Sequence, residues 1–349
     1  MRTTFHGRRA TTIENDALRL TVLEEGGHIA EVFHKRSGIS PLWIPQWTSV
    51  EPSEFDSERH REFGNGPDAK LLAGIMGHNL CLDIFGPPSA EEADAGLTAH
   101  GEASIARYTV AASDAQVAME AVLPIAALRV RRTISLQKTA ACVVESVENL
   151  AGCDRPVGWT EHVTLGPPFL RPGATQFRST ATRSKVFEST FGAADVLQPG
   201  AEFDWPFAPR ADGGHLDLRV YSAASCSSAY TAHLMDRAKE DAFFVAYAPD
   251  FHLLLGYVWK RRDFPWIGIW EENRSRSQSP WNSCELTCGM EFGVSPFPET
   301  RREMIERGSL FGVPTFRWIP ARRRVDVEYW IIAQTAERVP ERLATPEQK

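Results

Sequence analysis

Three short segments, far apart in a chain of 349 residues, carry the side-chain types that move protons at carbon and oxygen. In Gly96-Leu97-Thr98-Ala99-His100-Gly101-Glu102 a histidine beside a glycine closes a long loop just ahead of a strand, and glycine lets a backbone come close to a ligand. A loop histidine bonded to backbone fits the same residues. In Trp159-Thr160-Glu161-His162-Val163-Thr164-Leu165-Gly166-Pro167-Pro168 a histidine lies in an extended run with a rigid exit, so its ring projects either into a cleft or into a satisfied core. In Cys288-Gly289-Met290-Glu291-Phe292-Gly293-Val294-Ser295-Pro296-Phe297-Pro298 a lone carboxylate sits among apolar neighbours. On a strand Glu291 points away from the face shared by Met290 and Phe292. If that opposite face is buried, desolvation raises the carboxyl pKa and suits it to proton transfer; if it is exposed, Glu291 is a surface residue.

The elements that must hold these residues are mostly strands. Leu18, Leu20 and Val22 alternate with Arg19 and Thr21, the period of a strand with one wet face. Glu25-Gly26-Gly27 interrupts, and residues 28–34 resume before Ser37-Gly38, which makes an opening hairpin. Extended runs recur at 104–112, 115–123, 128–137, 141–149, 242–248, 252–259 and 325–333, each bounded by turn-forming residues. Many strands with few helices imply an all-β fold of antiparallel sheets. One helix is expected after Thr300, whose hydroxyl forms a capping box with Glu303 and whose run stops at Gly308; a second short one spans residues 68–75. The stretches 43–65, 83–101 and 167–217 read as long loops, which commonly rim functional sites. No linker or repeat divides the chain, so residues 1–349 are expected to form a single domain.

Hydrophobic residues at 43% and charged residues at 24% are ordinary for a globular chain. A net charge of −7 argues against a nucleic-acid partner, which needs a basic face. Arg322, Arg323 and Arg324 read as a solvated strand entry. No run approaches the ~20 apolar residues of a membrane helix, and Met1 to Ala10 has no apolar segment behind it, so a cytoplasmic protein with no membrane partner is expected. The six cysteines are then reduced thiols. Cys284 and Cys288 are expected on one strand face, too isolated for a zinc site.

Taken in order, His100-Gly101, Glu161-His162-Val163, Glu291 with Pro296 and Pro298, and Arg317-Trp318-Ile319-Pro320 before the last strand resemble the pattern of the galactose mutarotase (aldose 1-epimerase) family. The opening 13–20 and Gly26-Gly27-His28-Ile29 are similar to that family's first hairpin, and the resemblance runs from residue 13 to about 333. It implies a large antiparallel β-sandwich, or supersandwich, with few short helices, acting on a small-molecule sugar without metal or cofactor. In that reading Glu291 would be the base that takes the anomeric proton, His162 the acid that protonates the ring oxygen, and His100 a hydrogen-bond partner near that oxygen. Asn79, with His78 beside it, Trp159 and Trp270 are the candidates for substrate contact. The sequence departs from the family in two places: no Phe-Asp-His-type segment supplies the usual sugar-contacting Asp, the nearest place being residues 230–236, and the usual Arg beside Asn79 is replaced. Two other functions therefore stay open: a carbohydrate-binding protein without turnover, and an epimerase or lyase on a modified or phosphorylated sugar, for which Lys260, Arg261 and Arg262 would have to face the cleft.

Overall fold

In a computed structural model, which describes residues 1–345, the alternating runs pair into two antiparallel sheets packed face to face. The larger has 12 strands. It begins at an N-terminal meander formed by Arg2–Phe5, Arg8–Glu14, Leu18–Leu23 and Ile29–His34. It continues through His78–Asp83, Arg155–Leu165, Leu286–Gly293, Trp266–Asn273 and Ser227–Met235, and ends at Ala181–Val186 and Glu202–Asp204. The second sheet has 8 strands, with Arg324–Thr335 paired between Leu253–Lys260 and Ala140–Asn149.

One apolar core, drawn from residues as far apart as Ile13 and Ala333, fills the space between the sheets. Because side chains alternate along a strand, the residues of the large sheet that do not enter this core face the opposite way. There a second cluster forms, holding Trp43, Leu71, Tyr230, Trp266, Trp270, Trp281 and Phe297.

Most expected strands sit within a residue or two of their observed limits, and Leu128–Gln137 spans the expected run. The Arg301–Arg307 helix has the capping box of Thr300 and Glu303 and ends at Gly308, whose φ is +61°. Residues 104–112 are a correction: Glu102–Ser104 makes a short 3-10 turn and the strand starts only at Thr109. Residues 167–217 are also less irregular than expected, since they contain five short strands, and the 83–101 stretch holds the unforeseen Ala90–Asp94 helix, capped by Ser89 and Glu92. Cys284 lies exposed in the turn before the Leu286–Gly293 strand while Cys288 is buried within it, so the two do not share a strand face.

The inter-sheet core encloses a charged group of side chains. Arg132 bonds Glu145 at 2.5 Å and Glu161 at 3.2 Å, and its third nitrogen donates to the Gly27 carbonyl at 3.0 Å. His78 Nε2 and the Tyr329 hydroxyl reach Glu161 at 2.8 and 3.0 Å, while Trp159 Nε1 donates to Glu145 at 3.1 Å. Burial raises the Glu145 carboxyl to about 8 even with Arg132 beside it. Burial and Arg132 both hold His78 well below the usual imidazole range.

Candidate active site

The register of four neighbouring strands places two of the three expected catalytic residues, His162 and Glu291, in one row. His162 is opposite Asn79 on one side and Glu291 on the other, and Glu291 is opposite Gly268 in the next strand. His162 Nε2 lies 3.0 Å from Glu291 Oε1. His162 Nδ1 lies 2.9 Å from the Thr164 hydroxyl, two residues on along the same face. That hydroxyl can donate or accept, so it can follow a proton change on the ring.

Tyr230 completes the row from beyond Gly268. A side chain at Gly268 would collide with the Tyr230 ring and hydroxyl, so the missing Cβ is what lets the phenol cross the strand. Its hydroxyl reaches Glu291 Oε2 at 3.3 Å and the Pro296 carbonyl at 3.4 Å. Glu291 is only 2% exposed, and burial pushes its carboxyl up to about 8 against the opposing effect of the Tyr230 bond. Burial also holds His162 well below the usual imidazole range, with His100 adding to the shift.

His100 reaches the same place from a loop. Its ring centroid is 4.9 Å from that of His162. The residue has a φ of +65°, an uncommon conformation for a side chain with a Cβ, and such strain collects at functional sites. Backbone bonds hold it there: Leu82 N donates to the His100 carbonyl at 3.1 Å, and His100 N donates to Gly86 at 3.3 Å. The loop's root is fixed by Asp83, fully buried and bonded by Arg155 at 2.6 Å and by Arg301 at 2.7 Å. Burial lowers His100 to about 4 and acts in the same direction on His162, so burial favours the uncharged form of both rings. Gly101 lies against the Leu82 carbonyl oxygen with a φ of +78°. Gly101→Ala is therefore expected to displace His100; a crystal structure of the variant with His100 in place would contradict this.

These groups open onto a cavity of about 490 Å³. Its floor holds His162, Glu291, Tyr230 and Trp270, and His100, Phe85 and Gly86 come from the 83–101 stretch. Trp43, Phe187, Thr190 and Phe191 come from the other two long stretches, so those stretches do line the site. Asp68, Leu71, Leu72 and Ile75 are supplied in and around the Ala69–Gly74 helix, and Arg276 and Trp281 by the turn before the Leu286–Gly293 strand.

Of the expected site residues, His100, His162, Glu291 and Trp270 converge. Asn79 lies one layer back, its amide 3.4 Å from His100 Nδ1 and 3.3 Å from the Ser104 hydroxyl. Trp159 and His78 are corrections. Trp159 lies three residues and His78 one residue from the row, on the core face of their strands, where they bond Glu145 and Glu161 instead of lining the cavity. Strand alternation alone excludes Trp159 once His162 faces the cavity, since odd and even positions point opposite ways. Lys260 is outside as well, paired with Glu240 and Asp241 at 3.0 and 2.8 Å. Neither Arg261 nor Arg262 lines the cavity, and the segment 230–236 contributes Tyr230 to it instead of an Asp.

No protein-family model matches the chain, and no curated protein matches it in sequence. Solved structures match its shape. A structure named "putative aldose 1-epimerase" from Klebsiella pneumoniae superposes with a TM-score of 0.66 at 14% identity, over 95% of this chain and 80% of the other. A galactose mutarotase-like protein from Clostridium acetobutylicum gives 0.61 at 12% identity over 96% and 98% of the two chains. Another, from Lactobacillus casei, gives 0.57 at 12% over 93% and 100%. The chain thus has a galactose mutarotase-like fold, the all-β antiparallel architecture that the order of its motifs implied.

Proposed function

We propose that this protein is an aldose 1-epimerase-type isomerase that interconverts the anomers of a sugar by opening and reclosing its ring. The observation that carries the proposal is the pair formed by His162 Nε2 and Glu291 at 3.0 Å on the floor of an open-mouthed cavity, with His100 beside it. Ring opening requires that the anomeric hydroxyl lose a proton while the ring oxygen gains one. Ionised Glu291 takes the first proton, and a neutral imidazole N–H of His162 or His100 polarises the leaving ring oxygen by hydrogen bonding without giving up its own proton. The proton held by Glu291 then passes to that oxygen, and reclosure on either face of C1 reverses the transfer. General acid and base groups so placed contribute about 10²–10⁴-fold each.

The test is polarimetry of freshly dissolved α-D-glucose and α-D-galactose with and without the protein. A rate equal to the spontaneous one for both sugars would refute the assignment in favour of binding without turnover.

The pH dependence has a definite sign. Glu291 must be ionised to act as base, and its pKa is raised to about 8, so kcat/KM is expected to rise with pH and level off only above about 8. A carboxylate near its ordinary value would instead give a plateau from about pH 5. The Tyr230 hydroxyl favours the ionised form of Glu291. Tyr230→Phe is therefore expected to move the rise to higher pH, measured after subtracting the spontaneous rate at each pH.

A further inference from the structure

We infer, on the basis of that sugar-isomerase reading, that Trp270 Nε1 and the guanidinium of Arg276 form a hydroxyl-binding subsite that selects a neutral sugar over a sugar phosphate or a uronic acid. Trp270 is 7% exposed and lines the cavity, yet its Nε1 has no hydrogen-bond partner among the described residues. Buried donors are seldom left unpaired, so this N–H calls for an acceptor on a ligand. Its ring is also 5.9 Å from that of His162, which ties this donor to the reacting end.

Arg276 adds further donors at the same wall. Its guanidinium lies over the Trp270 ring at 5.3 Å and the Trp281 ring at 4.7 Å. Stacking of this kind fixes the fork before a ligand arrives. Nε faces Glu272 at 3.3 Å, and the two terminal nitrogens make no hydrogen bond among the described residues.

The charge around Arg276 decides between ligand classes. Glu272 is 1% exposed and anchored by Ser275, whose backbone N–H and hydroxyl donate to it at 2.6 and 2.7 Å. The guanidinium therefore already has a fixed counter-ion. Asp68, which also lines the cavity, and Asp195 act on the same charge. A phosphate or carboxylate entering here meets these acids as well as Arg276, whereas a hydroxyl oxygen accepts the free N–H groups without bringing charge. With His162, Glu291 and His100 working at the anomeric carbon, this subsite reads hydroxyls elsewhere on the ring.

Isothermal titration calorimetry with D-galactose, D-glucose, D-glucose 6-phosphate and D-glucuronate tests the assignment on the intact protein. The neutral sugars are expected to bind and the anionic pair to bind no tighter. Trp270→Phe and Arg276→Gln are each expected to weaken neutral-sugar binding by about tenfold or more. Arg276→Lys, which keeps the charge and loses the planar fork, is expected to weaken it as well. Tighter binding of either anionic sugar, no binding of a neutral one to wild type, or binding by Arg276→Lys within twofold of wild type would overturn the assignment. Turnover is read separately: wild type that binds neutral sugars without hastening mutarotation removes the isomerase reading and leaves the subsite standing.

Discussion

Glu291→Gln is expected to lower kcat for anomer interconversion by about 10²–10⁴-fold while leaving KM nearly unchanged. The amide has the size of the carboxyl and can still accept from the Tyr230 hydroxyl, which lies 3.3 Å from Oε2. What it lacks is the capacity to become an anion and hold the anomeric proton. Because the carboxyl is buried and raised to about 8, the folded protein prefers it uncharged, and a neutral amide is expected to leave the thermal midpoint unchanged or higher. Loss of rate with retained fold and retained sugar binding is thus the predicted signature. A variant turning over at the wild-type rate would remove Glu291 from the chemistry and leave His162 and His100 to be tested next.

Arg132→Met is expected to cost about 3–5 kcal/mol of folding stability, the penalty for breaking a buried ion pair by removing one partner. Arg132 is 4% exposed and is the cation between Glu145 and Glu161, both fully buried. Without it Glu145, already raised by burial and by the neighbouring Glu161, loses the cation that favours its charged form. Urea denaturation followed by circular dichroism measures the loss. Adding Glu145→Gln to the Arg132→Met chain removes one of the stranded acids and is expected to return part of the stability. A single variant within about 1 kcal/mol of wild type would mean that this cluster is relieved by rearrangement and does not tie the sheets together.

The sequence made the architecture legible wherever one face of a strand was wet, as at Leu128–Gln137 and Gln116–Leu123, since alternation is then visible. It was least informative for short paired segments such as Phe207–Pro209, where three residues carry no period. For the site, His100, His162 and Glu291 stood out by residue type within unusual surroundings. Trp159 and His78 stand out by residue type, but parity assigns them to the core face: Trp159 is three positions from His162 and His78 one from Asn79, both of which lie in the row. Tyr230 had a signal of the same kind, as it shares a strand face with Ala232 and Leu234 in the cavity-side cluster. Arg276, Trp281 and Asp68 had none, because their approach depends on how separate turns converge.

The row of Asn79, His162, Glu291 and Gly268 belongs to the interior of a sheet, whereas the walls above it come from surface segments. The fold thereby splits its inheritance in two. Insertions and exchanges in residues 43–75, 83–101 and 167–217 can reshape what the cavity accepts while His162 and Glu291 stay in place, because a ladder of backbone bonds and not those segments sets their spacing. Changes in those segments are therefore expected to alter what the cavity admits while the 3.0 Å spacing of His162 and Glu291 persists; His100, carried by the 83–101 stretch, is the exception.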